Sequence, residues 1–414
     1  MTKKLNKIEQ LINELCPNGL EFKELGELGD LYGGLTGKSK EDFSNGNAKF
    51  VTYMNIFSNI AVNTDINNFV KIGKKEKQMK IQYGDVLFTG SSETPNECGM
   101  SSVLTEKIDE PLYLNSFCFG FRLHDTSLFL PDFLKYLFRD IQTRKQISKT
   151  ASGVTRFNIS KKRFVKIKIP IPPLDIQKEI VKILDNFTEL EAELEAELEA
   201  RKKQYEHYRA ELLTFDEQGG VRQVLLNEII DFMNGKGHEK HINGDGKYIV
   251  VNSKFVSTDG KVKKYSKQQI SPVFESDILM VMSDLPNGKA LAKCFYVDEN
   301  DKYTLNQRIC VLTVKNKKEL DSKYLFYILS RNRQLLRYDN GADQTNLRKG
   351  DILKIKIPIP EMSEQKRIVS ILDKFDALVN DISIGLPAEI TARKSQYEYY
   401  RGELLTFKEK EYAK

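Results

Sequence analysis

Two long stretches of the chain carry apolar residues at spacings of three and four, which is the pattern of one face of an α-helix. The stripes consist of Ile176, Ile180, Ile183, Phe187, Leu190, Leu194, Leu198, Tyr205, Tyr208 and Leu212, and of Ile368, Ile371, Phe375, Leu378, Ile382, Leu386, Ile390, Tyr397, Tyr400 and Leu404. A helix over either stretch would be about 60 Å long at 1.5 Å per residue, longer than a small domain is wide. So long an apolar stripe needs a partner, and we expect that partner to be the other helix.

The order of the chain indicates how these helices would pair. The first helix leaves one globular segment and enters another, so the second must run back antiparallel to lie along it. A coiled coil of two long antiparallel helices is therefore predicted. The alternative, in which each helix packs only on its own globular domain, remains open at this point.

Short apolar runs separated by turns precede each helix, a pattern typical of strands with connecting loops. The strand candidates are residues 50–54, 85–88 and 117–121 in the first half, and 248–251, 277–281 and 309–314 in the second. Residues 128–138 and 323–330 favour helices. We therefore predict an α+β fold with two mixed α/β domains.

The connecting segments are duplicated, whereas the globular segments correspond only in outline. Lys-Ile-Lys-Ile-Pro-Ile-Pro occurs at 166–172 and again at 354–360, and residues 201–215 match 393–407 at 12 of 15 positions. A spacing of 188 to 192 residues is too long for a solenoid, whose repeats run about 20–50 residues. We expect an internal pseudo-twofold repeat that carries two equal partner surfaces and two different ligand surfaces.

This repeat divides the chain into four predicted segments. The globular domains are residues 1–165 and 216–353, and the helical segments are a central one at 166–215 and a C-terminal one at 354–414. The helices should begin alike, because Pro172 and Pro360 stop the incoming chain from being helical. Asp175 and Ser363 follow at equivalent positions and are good N-cap candidates.

The two helices should differ in their middle. Phe375 to Arg393 spans 18 residues, against 14 for the matching Phe187 to Arg201. Gly385 and Pro387 lie in the longer interval. Because a proline inside a helix removes a hydrogen bond and clashes with the preceding turn, a kink or short break is predicted near residues 384–388.

The composition describes an ordinary soluble protein. Of the 414 residues, 40% are hydrophobic and 29% are charged, which suits two or more domains. The sequence has no apolar run of about 18 residues, and the first fifteen residues favour an amphipathic helix over a signal peptide. We therefore expect no membrane association and a cytoplasmic location. Five scattered cysteines, none in a C-x-x-C pair, are expected to be free thiols.

Charge is more informative where it is local than as the net value of +6. Six glutamates occupy alternate positions from Glu189 to Glu199 on the first helix, with no base among them. Such a face would repel a phosphate backbone, so it should contact solvent or protein. Nine bases and no acid lie between Arg144 and Lys168. Basic faces beside polar loops suit phosphate contacts, although lysine runs also occur on ordinary solvated surfaces.

Catalytic signatures are absent from the sequence. Residues 33–39 resemble a phosphate-binding loop, but their first glycine is one residue too close to the second. His238 and His241 have no thiol or carboxylate partner nearby, which favours a polar loop over a zinc site. No serine-nucleophile elbow and no methyltransferase N/D-P-P-Y/F sequence occurs. No catalytic residue and no metal ligand is therefore predicted.

Polar side chains in loops beside the strands are candidates for reading DNA bases. Arginine can pair with guanine, and asparagine or glutamine with adenine. The DNA-binding candidates, phosphate and base contacts together, are Lys71, Lys74, Lys75, Ser91, Ser92, Arg144, Thr155, Arg156, Lys161, Asn252, Lys254, Ser283, Asn287, Gln344 and Arg348. Thr155 and Asn158 could equally serve only to shape a turn.

The connecting segments resemble one known family. The Ile-Pro-Ile-Pro strands, residues 177–187, the Leu-Glu-Ala-Glu tetrapeptides and residues 201–209 are similar to the conserved regions of specificity subunits of type I restriction–modification enzymes. Residues 16–26 resemble that family's first-domain start. The resemblance covers the whole chain in order, and only the interruption around Gly385 and Pro387 departs from it. It is specific in the helices and weak in the globular domains.

The resemblance implies a subunit without catalysis of its own. Each globular domain would be a target-recognition domain that reads one half of a bipartite, asymmetric site in double-stranded DNA. Two methyltransferase subunits would dock on the chain and form an adenine-N6 methyltransferase that uses S-adenosylmethionine. Restriction subunits would add ATP- and Mg-dependent translocation and cleavage, so this chain itself would bind no cofactor.

Two identical methyltransferases need two copies of one docking surface, which the repeated helices could supply. The docking candidates are the repeated polar residues Gln204, Arg209, Glu211, Gln396, Arg401 and Glu403. Some of them could instead brace the coiled coil. Two other functions remain open: a free-standing DNA-binding scaffold or regulator without an enzyme partner, and a coiled-coil adaptor that binds only proteins.

Overall fold

The computed structural model describes residues 2–215, 220–286, 288–381 and 383–410. It contains two compact units, one formed by Met1–Glu195 with Glu389–Lys414 and the other by Ala196–Ala388. Within the described ranges, no helix is both long and apolar enough to cross a membrane.

The first unit combines short strands with helices of very different length. Its strands are β1 (Phe22–Glu24), β2 (Gly29–Gly33), β3 (Ala48–Val51), β4 (Phe69–Val70), β5 (Val86–Thr89), β6 (Ser91–Ser92), β7 (Ser101–Val103), β8 (Leu112–Leu114), β9 (Cys118–Leu123), β10 (Ala151–Ser152), β11 (Phe157–Ile159) and β12 (Lys168–Pro170). Its helices are α1 (Thr2–Leu15), α2 (Leu25–Leu28), α3 (Tyr53–Ser58), α4 (Pro131–Leu137), α5 (Ile141–Thr150), α6 (Lys161–Phe164) and the beginning of α7 (Leu174–Leu212). A short 3-10 helix covers Lys40–Phe43.

The second unit repeats this order. Its strands are β13 (Arg222–Leu225), β14 (Ile230–Asn234), β15 (Tyr248–Val251), β16 (Tyr265–Ser266), β17 (Ile278–Val281), β18 (Ser283–Asp284), β19 (Cys294–Tyr296), β20 (Tyr303–Leu305), β21 (Ile309–Val314), β22 (Thr345–Asn346) and β23 (Lys356–Ile359). Its helices are α8 (Leu226–Ile229), α9 (Ser253–Ser257), α10 (Ser322–Leu329), α11 (Arg333–Leu336), α12 (Lys349–Leu353) and α13 (Met362–Asn380), and α14 (Leu386–Leu404) follows. Its 3-10 helix covers Glu239–His241.

The two globular domains have matching sheet topology. A four-stranded antiparallel sheet has the order β2-β9-β5-β7 in the first unit and β14-β21-β17-β19 in the second. A three-stranded sheet contains the parallel pair β3 and β8, or β15 and β20. The repeated Ile-Pro-Ile-Pro strand pairs with β1 in one unit and with β13 in the other. The prediction of two mixed α/β domains is confirmed.

Each core extends from the globular domain onto the beginning of a long helix. In the first unit Phe88 lies 4.9 to 5.3 Å, between ring centroids, from Phe119, Phe138 and Phe164. The same core includes the buried side chains of Ile176, Ile180, Ile183, Leu184 and Phe187 on α7. In the second unit Ile368 and Leu372 of α13 pack into the corresponding core. The alternative in which the helices pack on their own domains therefore holds for their first turns.

Beyond those turns the helices pack on each other through reciprocal contacts. In the first unit the ring of Phe187 lies 6.2 Å from that of Tyr397 and 5.5 Å from that of Tyr400. In the second unit Phe375 lies 6.4 Å from Tyr205 and 5.5 Å from the ring of Tyr208. The phenylalanine of each repeat thus contacts the tyrosines of the other repeat, which is the pattern of a self-complementary interface.

The direction of this packing is antiparallel, as predicted. In the first unit Phe187 lies opposite Tyr400, whereas Glu191 and Glu195 lie opposite Lys394 at 3.2 and 2.8 Å. Residue numbers therefore rise along α7 as they fall along α14. The acidic face of α7 faces solvent and protein, because Glu191 is half-buried against α14 and the other glutamates are exposed.

A buried glutamine fixes the start of each long helix. Gln177 accepts a hydrogen bond from the Leu130 amide through Oε1 and donates through Nε2 to the carbonyls of Leu128 and Pro172, at 2.7 to 2.9 Å. Both it and Gln365 are fully buried. Gln365 makes the equivalent three bonds. Its Oε1 accepts from the Asp321 amide, and its Nε2 donates to the carbonyls of Glu319 and Pro360, at 2.8 to 2.9 Å.

The predicted N-caps are wrong. Helix α7 already begins at Leu174 and α13 at Met362, so Asp175 and Ser363 lie inside the first turn. The carbonyl of Pro173 accepts hydrogen bonds from the amides of Ile176 and Gln177, at 3.0 and 3.1 Å. Pro173 therefore occupies the N-cap position of α7.

The second long helix is interrupted, as predicted, but slightly earlier than expected. Helix α13 ends at Asn380 and α14 begins at Leu386, so Pro387 lies in a first turn rather than within a break. A Cβ on Gly385 would lie 2.4 Å from the carbonyl oxygen of Ala377, so the backbone approaches too closely there for any other residue. Ile382, which belongs to the predicted apolar stripe, lies outside the described residues.

One predicted strand also needs correction. Strand β3 ends at Val51, and Tyr53 and Met54 belong to α3 instead of continuing the strand over residues 50–54. Thr52 causes the change, because its side chain accepts a hydrogen bond from the Asn55 amide at 3.2 Å and caps the helix.

Candidate nucleic-acid interface

A polar pocket lies beside the hairpin formed by β10 and β11 in the first unit. Strand β11 pairs with β6, which brings residues 153–156 at the hairpin tip over the two serines of β6. The pocket has a volume of about 420 Å³. Its lining consists of Tyr53, Met54, Phe57, Ser91, Ser92, Glu93, Glu97, Thr155 and Arg156. Four predicted base-reading residues, separated by more than 60 positions in the sequence, are therefore brought together.

Hydrogen bonds fix the arrangement of this first pocket. Arg156 donates from Nε to Oγ of Ser91 at 3.0 Å, and the hydroxyl of Tyr53 donates to the Ser91 carbonyl at 2.8 Å. The rings of Tyr53 and Phe57 are stacked at 6.0 Å and form an aromatic wall. Ser91 is buried and Arg156 is exposed, so a fixed serine orients a side chain that projects into solvent.

The second unit has a corresponding pocket with different side chains. Strand β18 pairs with β22, and Gln344 donates from Nε2 to Oγ of Ser283 at 2.7 Å. The cavity beside it has a volume of about 390 Å³. It is lined by Tyr338, Asn340, Gln344, Thr345, Asn346, Arg348 and Asp351. Three more predicted residues, Ser283, Gln344 and Arg348, thus lie in one region.

The remaining lysine candidates lie on the surface away from these pockets' linings. Lys71, Lys74 and Lys75 are exposed on the turn after β4, and Lys161 is exposed at the start of α6, with its Nζ 5.6 Å from the ring centre of Phe119. Lys254 is exposed on α9. These positions are compatible with contacts to phosphates, which need accessible charge rather than a shaped site.

Two candidates have structural roles. Arg144 donates to the carbonyls of Asn96 and Cys98, at 2.7 and 2.8 Å, and to that of Gly99, and its burial lowers its pKa to about 10. Asn252 caps α9 by accepting a hydrogen bond from the amide of Phe255 at 2.9 Å. Both side chains are therefore occupied in holding their own loops.

The position of Asn287 lies outside the described residues. Sequence reasoning missed the aromatic wall of the first pocket and the amides Asn340 and Asn346 of the second. The wall belongs to α3, of which only Tyr53 and Met54 lie in the predicted strand over residues 50–54. The amides flank Gln344 closely enough in sequence that a polar-loop criterion could have included them.

The two domains also match one known family. Residues 17–200 and 220–392 each match the type I restriction modification DNA specificity domain. The chain belongs to this family. The two matches cover both globular domains and most of the long helices, so the family assignment applies to both halves of the molecule.

Two relatives within this specificity family illustrate the similarity. The EcoR124I/EcoR124II specificity subunit of Escherichia coli is 37% identical over 265 residues, which cover 58% of this chain and 63% of that protein. A Haemophilus influenzae type I restriction enzyme specificity subunit is 33% identical over 274 residues, covering 62% and 68%. The match thus spans less than two thirds of the first relative's length.

A solved structure has the same fold. It is described as the structural basis of complex assembly and conformational transition of the type I R-M system, and it matches with a TM-score of 0.66. The match covers 94% of this chain and 98% of that chain at 15% sequence identity. At this identity the likeness concerns the fold alone.

The helices of this specificity-family chain present a repeated polar network. Arg201 donates to Glu197 at 2.7 Å and to Gln204 at 2.8 Å. On α14, Arg393 repeats this arrangement. It lies 3.5 Å from the carboxylate of Glu389 and donates to Gln396 at 3.3 Å. Two docking candidates, Gln204 and Gln396, therefore lie in equivalent networks on two copies of one surface.

The other docking candidates divide into exposed and bracing residues. Glu211 and Glu403 are exposed. Arg209 donates to the carbonyl of Tyr327 at 2.8 Å and to that of Ser330, so it braces the end of α10. Arg401 instead stacks over a tyrosine of its own helix, with 5.1 Å from the guanidinium carbon to the ring centre.

Proposed function

We propose that this chain is the DNA-recognition subunit of a type I restriction–modification complex. Each globular domain would read one half of a bipartite, asymmetric site in double-stranded DNA. The chain would carry out no catalysis. Methyltransferase and restriction subunits would supply the chemistry, with S-adenosylmethionine, ATP and Mg bound on those partners, and the complex would act in the cytoplasm.

The contrast between frame and pockets carries this proposal. Both domains have the same order in their four-stranded sheet, the same glutamine at the helix start, and a pocket beside an equivalent strand pair, β6 with β11 and β18 with β22. The two pockets each contain an arginine, but their other side chains differ. The first has two glutamates and two aromatic rings and, among the described residues, no amide side chain, whereas the second has three amide side chains. One scaffold with two different polar surfaces suits the reading of two different base sequences.

The repeated helix surface supports two equal docking sites. The networks around Arg201 and Arg393 are equivalent in sequence and in their hydrogen bonds. Gln204, Glu211, Gln396 and Glu403 would contact the methyltransferase subunits directly. Arg209 would act indirectly, because its guanidinium is held by carbonyls of the globular domain.

The long helices would set the spacer between the half-sites. Major-groove contacts on one face of DNA lie about 34–36 Å apart for successive turns. One Leu-Glu-Ala-Glu unit contributes about 6 Å of helix, against about 3.4 Å per base pair. Deleting one unit should therefore shorten the non-specific spacer by about one or two base pairs while both half-sites stay the same. Altered half-sites in the methylation pattern of this variant would contradict the proposal.

Methylation mapping tests the function directly. The chain would be expressed with its methyltransferase subunit in a host that lacks other adenine methylation, and methylated adenines would be mapped across the genome. A bipartite consensus that depends on both proteins is expected. Methylation without this chain would overturn the proposal. Failure of the chain to co-purify with a methyltransferase, while it still binds DNA, would favour a free-standing scaffold or regulator.

A further inference from the structure

We propose that Arg156 and Gln344 occupy equivalent base-reading positions in the two domains. Arg156 reads guanine in one half-site, whereas Gln344 reads adenine in the other. This inference rests on the proposed function. It adds an assignment of one residue in each domain to one type of base.

The two residues are structurally equivalent. In the first unit Asn158 pairs with Ser91, and in the second Asn346 pairs with Ser283. Arg156 and Gln344 each lie two positions before the asparagine of their own unit. The preceding tip contains a glycine with positive φ in both units, +150° at Gly153 and +68° at position 341. The strand register and the spacing from the asparagine therefore place the two side chains at equivalent positions.

Both side chains are held by the equivalent serine. Arg156 donates to Ser91 Oγ at 3.0 Å, and Gln344 donates to Ser283 Oγ at 2.7 Å. The two serines are only 7% and 6% exposed, so each is a fixed anchor for an exposed partner. They act as positioning residues. A side chain anchored before DNA arrives loses less conformational entropy when it meets a base.

The anchor leaves the base-reading atoms available. Arg156 uses Nε for the serine, and among the described residues its two Nη groups donate no hydrogen bond. These groups form the planar fork that pairs with O6 and N7 of guanine. Gln344 uses one N–H for the serine, and its other contact from Nε2, to Oδ1 of Asn346, is long at 3.4 Å. Its amide can pair with N6 and N7 of adenine.

The surroundings favour bases over phosphates. Glu93 and Glu97 line the same pocket as Arg156, and in the pocket of Gln344 the charge of Arg348 is offset by that of Asp351. Carboxylates repel a phosphate backbone, whereas they can accept a hydrogen bond from a cytosine amino group. A neutral glutamine at the second position would also be a weak phosphate ligand.

Exchanging the two side chains tests the assignment. R156Q and Q344R would each be assembled as full chains with the methyltransferase, and their methylation patterns compared with that of the parent complex. R156Q should reduce the preference for guanine at one position of the first half-site by roughly 5- to 140-fold, the ratio that one bidentate base contact provides. Q344R should shift one position of the second half-site from adenine to guanine. The opposite half-site should remain unchanged in each case.

The variant R156K separates geometry from charge. Lysine keeps the charge but lacks the fork, so the guanine preference should fall while the salt dependence of DNA binding stays the same. If the R156Q complex does not assemble, R156K and Q344R decide the question. A matched control is K107Q, which removes a surface charge from the loop after β7, where Lys107 lies 5.8 Å from the ring centre of Tyr83. Its consensus should equal that of the parent.

Two results would overturn the inference while leaving the proposed function intact. The first is an unchanged consensus in R156Q and Q344R with normal bipartite methylation. The second is a uniform loss of methylation at all sequences together with a smaller salt slope, which is the behaviour of a phosphate contact. Absence of bipartite methylation by the parent complex would instead contradict the proposed function itself.

Discussion

Arg209 and Arg401 come from the two copies of one repeated segment, yet the two units give their guanidinium groups different surroundings. In the second unit Arg209 bonds to the carbonyls of Tyr327 and Ser330 at the end of α10. In the first unit Arg139 stands at the position equivalent to that serine, and Arg401 lines a cavity of about 490 Å³ with it. The repeated arginine thus contacts backbone carbonyls in the second unit and shares a cavity with a second arginine in the first.

The cavity of the first unit is strongly basic. Arg139, Arg144, Lys145, Lys149 and Arg401 line it together with uncharged residues. Burial, and after it the charges of Arg144 and Arg401, lower the pKa of Arg139 to about 10. In the second unit the repeated helix therefore meets its globular domain through an arginine–carbonyl contact. In the first unit it does so through a group of like charges.

The glutamines at the helix starts should be the most sensitive part of the shared frame. Gln177→Leu and Gln365→Leu each remove partners from one buried amide and two carbonyls, and an unsatisfied buried group costs about 1–3 kcal/mol. We expect each to lower the free energy of unfolding by about 3 kcal/mol or more. Hydrogen exchange of peptides from each unit would measure the loss.

The matching variants provide the control for this experiment. Each substitution should expose only the peptides of its own unit, since the three partners of each glutamine belong to that unit. Equal losses in both units would sharpen the view of a shared frame. If either leucine variant were as protected as the parent, the glutamine would not be the fixing contact.

The arginines should give unequal effects. Arg209→Ala leaves carbonyls at the end of α10 without their donor and should destabilise the second unit by about 1–3 kcal/mol. Arg401→Ala removes a charge from a cationic group and should leave the first unit unchanged or slightly more stable. Chemical denaturation of both variants measures the difference. Equal destabilisation would break the comparison, and Arg→Lys at each position serves as the control for charge.

The lysines that follow these networks should give the smallest effect. Lys394 contacts Glu191 and Glu195 on the other helix at 3.2 and 2.8 Å, whereas its counterpart Lys202 contacts Glu199 on its own helix at 2.8 Å. Exposed ion pairs contribute about 0.2–1 kcal/mol and are screened by salt. Lys394→Ala should therefore cost more than Lys202→Ala at low salt, and thermal unfolding at high salt should show no difference. A difference that persisted in high salt would point to packing instead.

The sequence predicts the pairing of the long helices better than the residues at which they begin. The antiparallel pairing follows from apolar spacing and chain order, and the contacts of Phe187 and Phe375 confirm it. The predicted N-caps at Asp175 and Ser363 are wrong, because α7 already begins at Leu174 and α13 begins at Met362 after its N-cap Glu361. Helix α3 was missed since the cap of Thr52 outweighed the apolar run around it.

The candidate site is predictable as a set of residue types but not as a geometry. Serines and an arginine in loops beside strands indicated the first pocket, yet the bond from Arg156 to Ser91 depends on strands 65 positions apart. Nothing in the sequence sets that register. Asn252 shows the reverse case, because a residue suited to adenine is used as a helix cap.

The discontinuous make-up of the first unit has a consequence for biosynthesis. Its core includes Leu404 and Leu405, and Leu20 exchanges backbone hydrogen bonds of 2.8 Å with positions 408 and 410. The second unit, in contrast, is one continuous stretch. Domains usually fold in the order in which they emerge from the ribosome, but here the first unit is completed by residues from Glu389 onward, which are translated after the second unit. A chain released early would therefore have a complete second unit and an incomplete first unit.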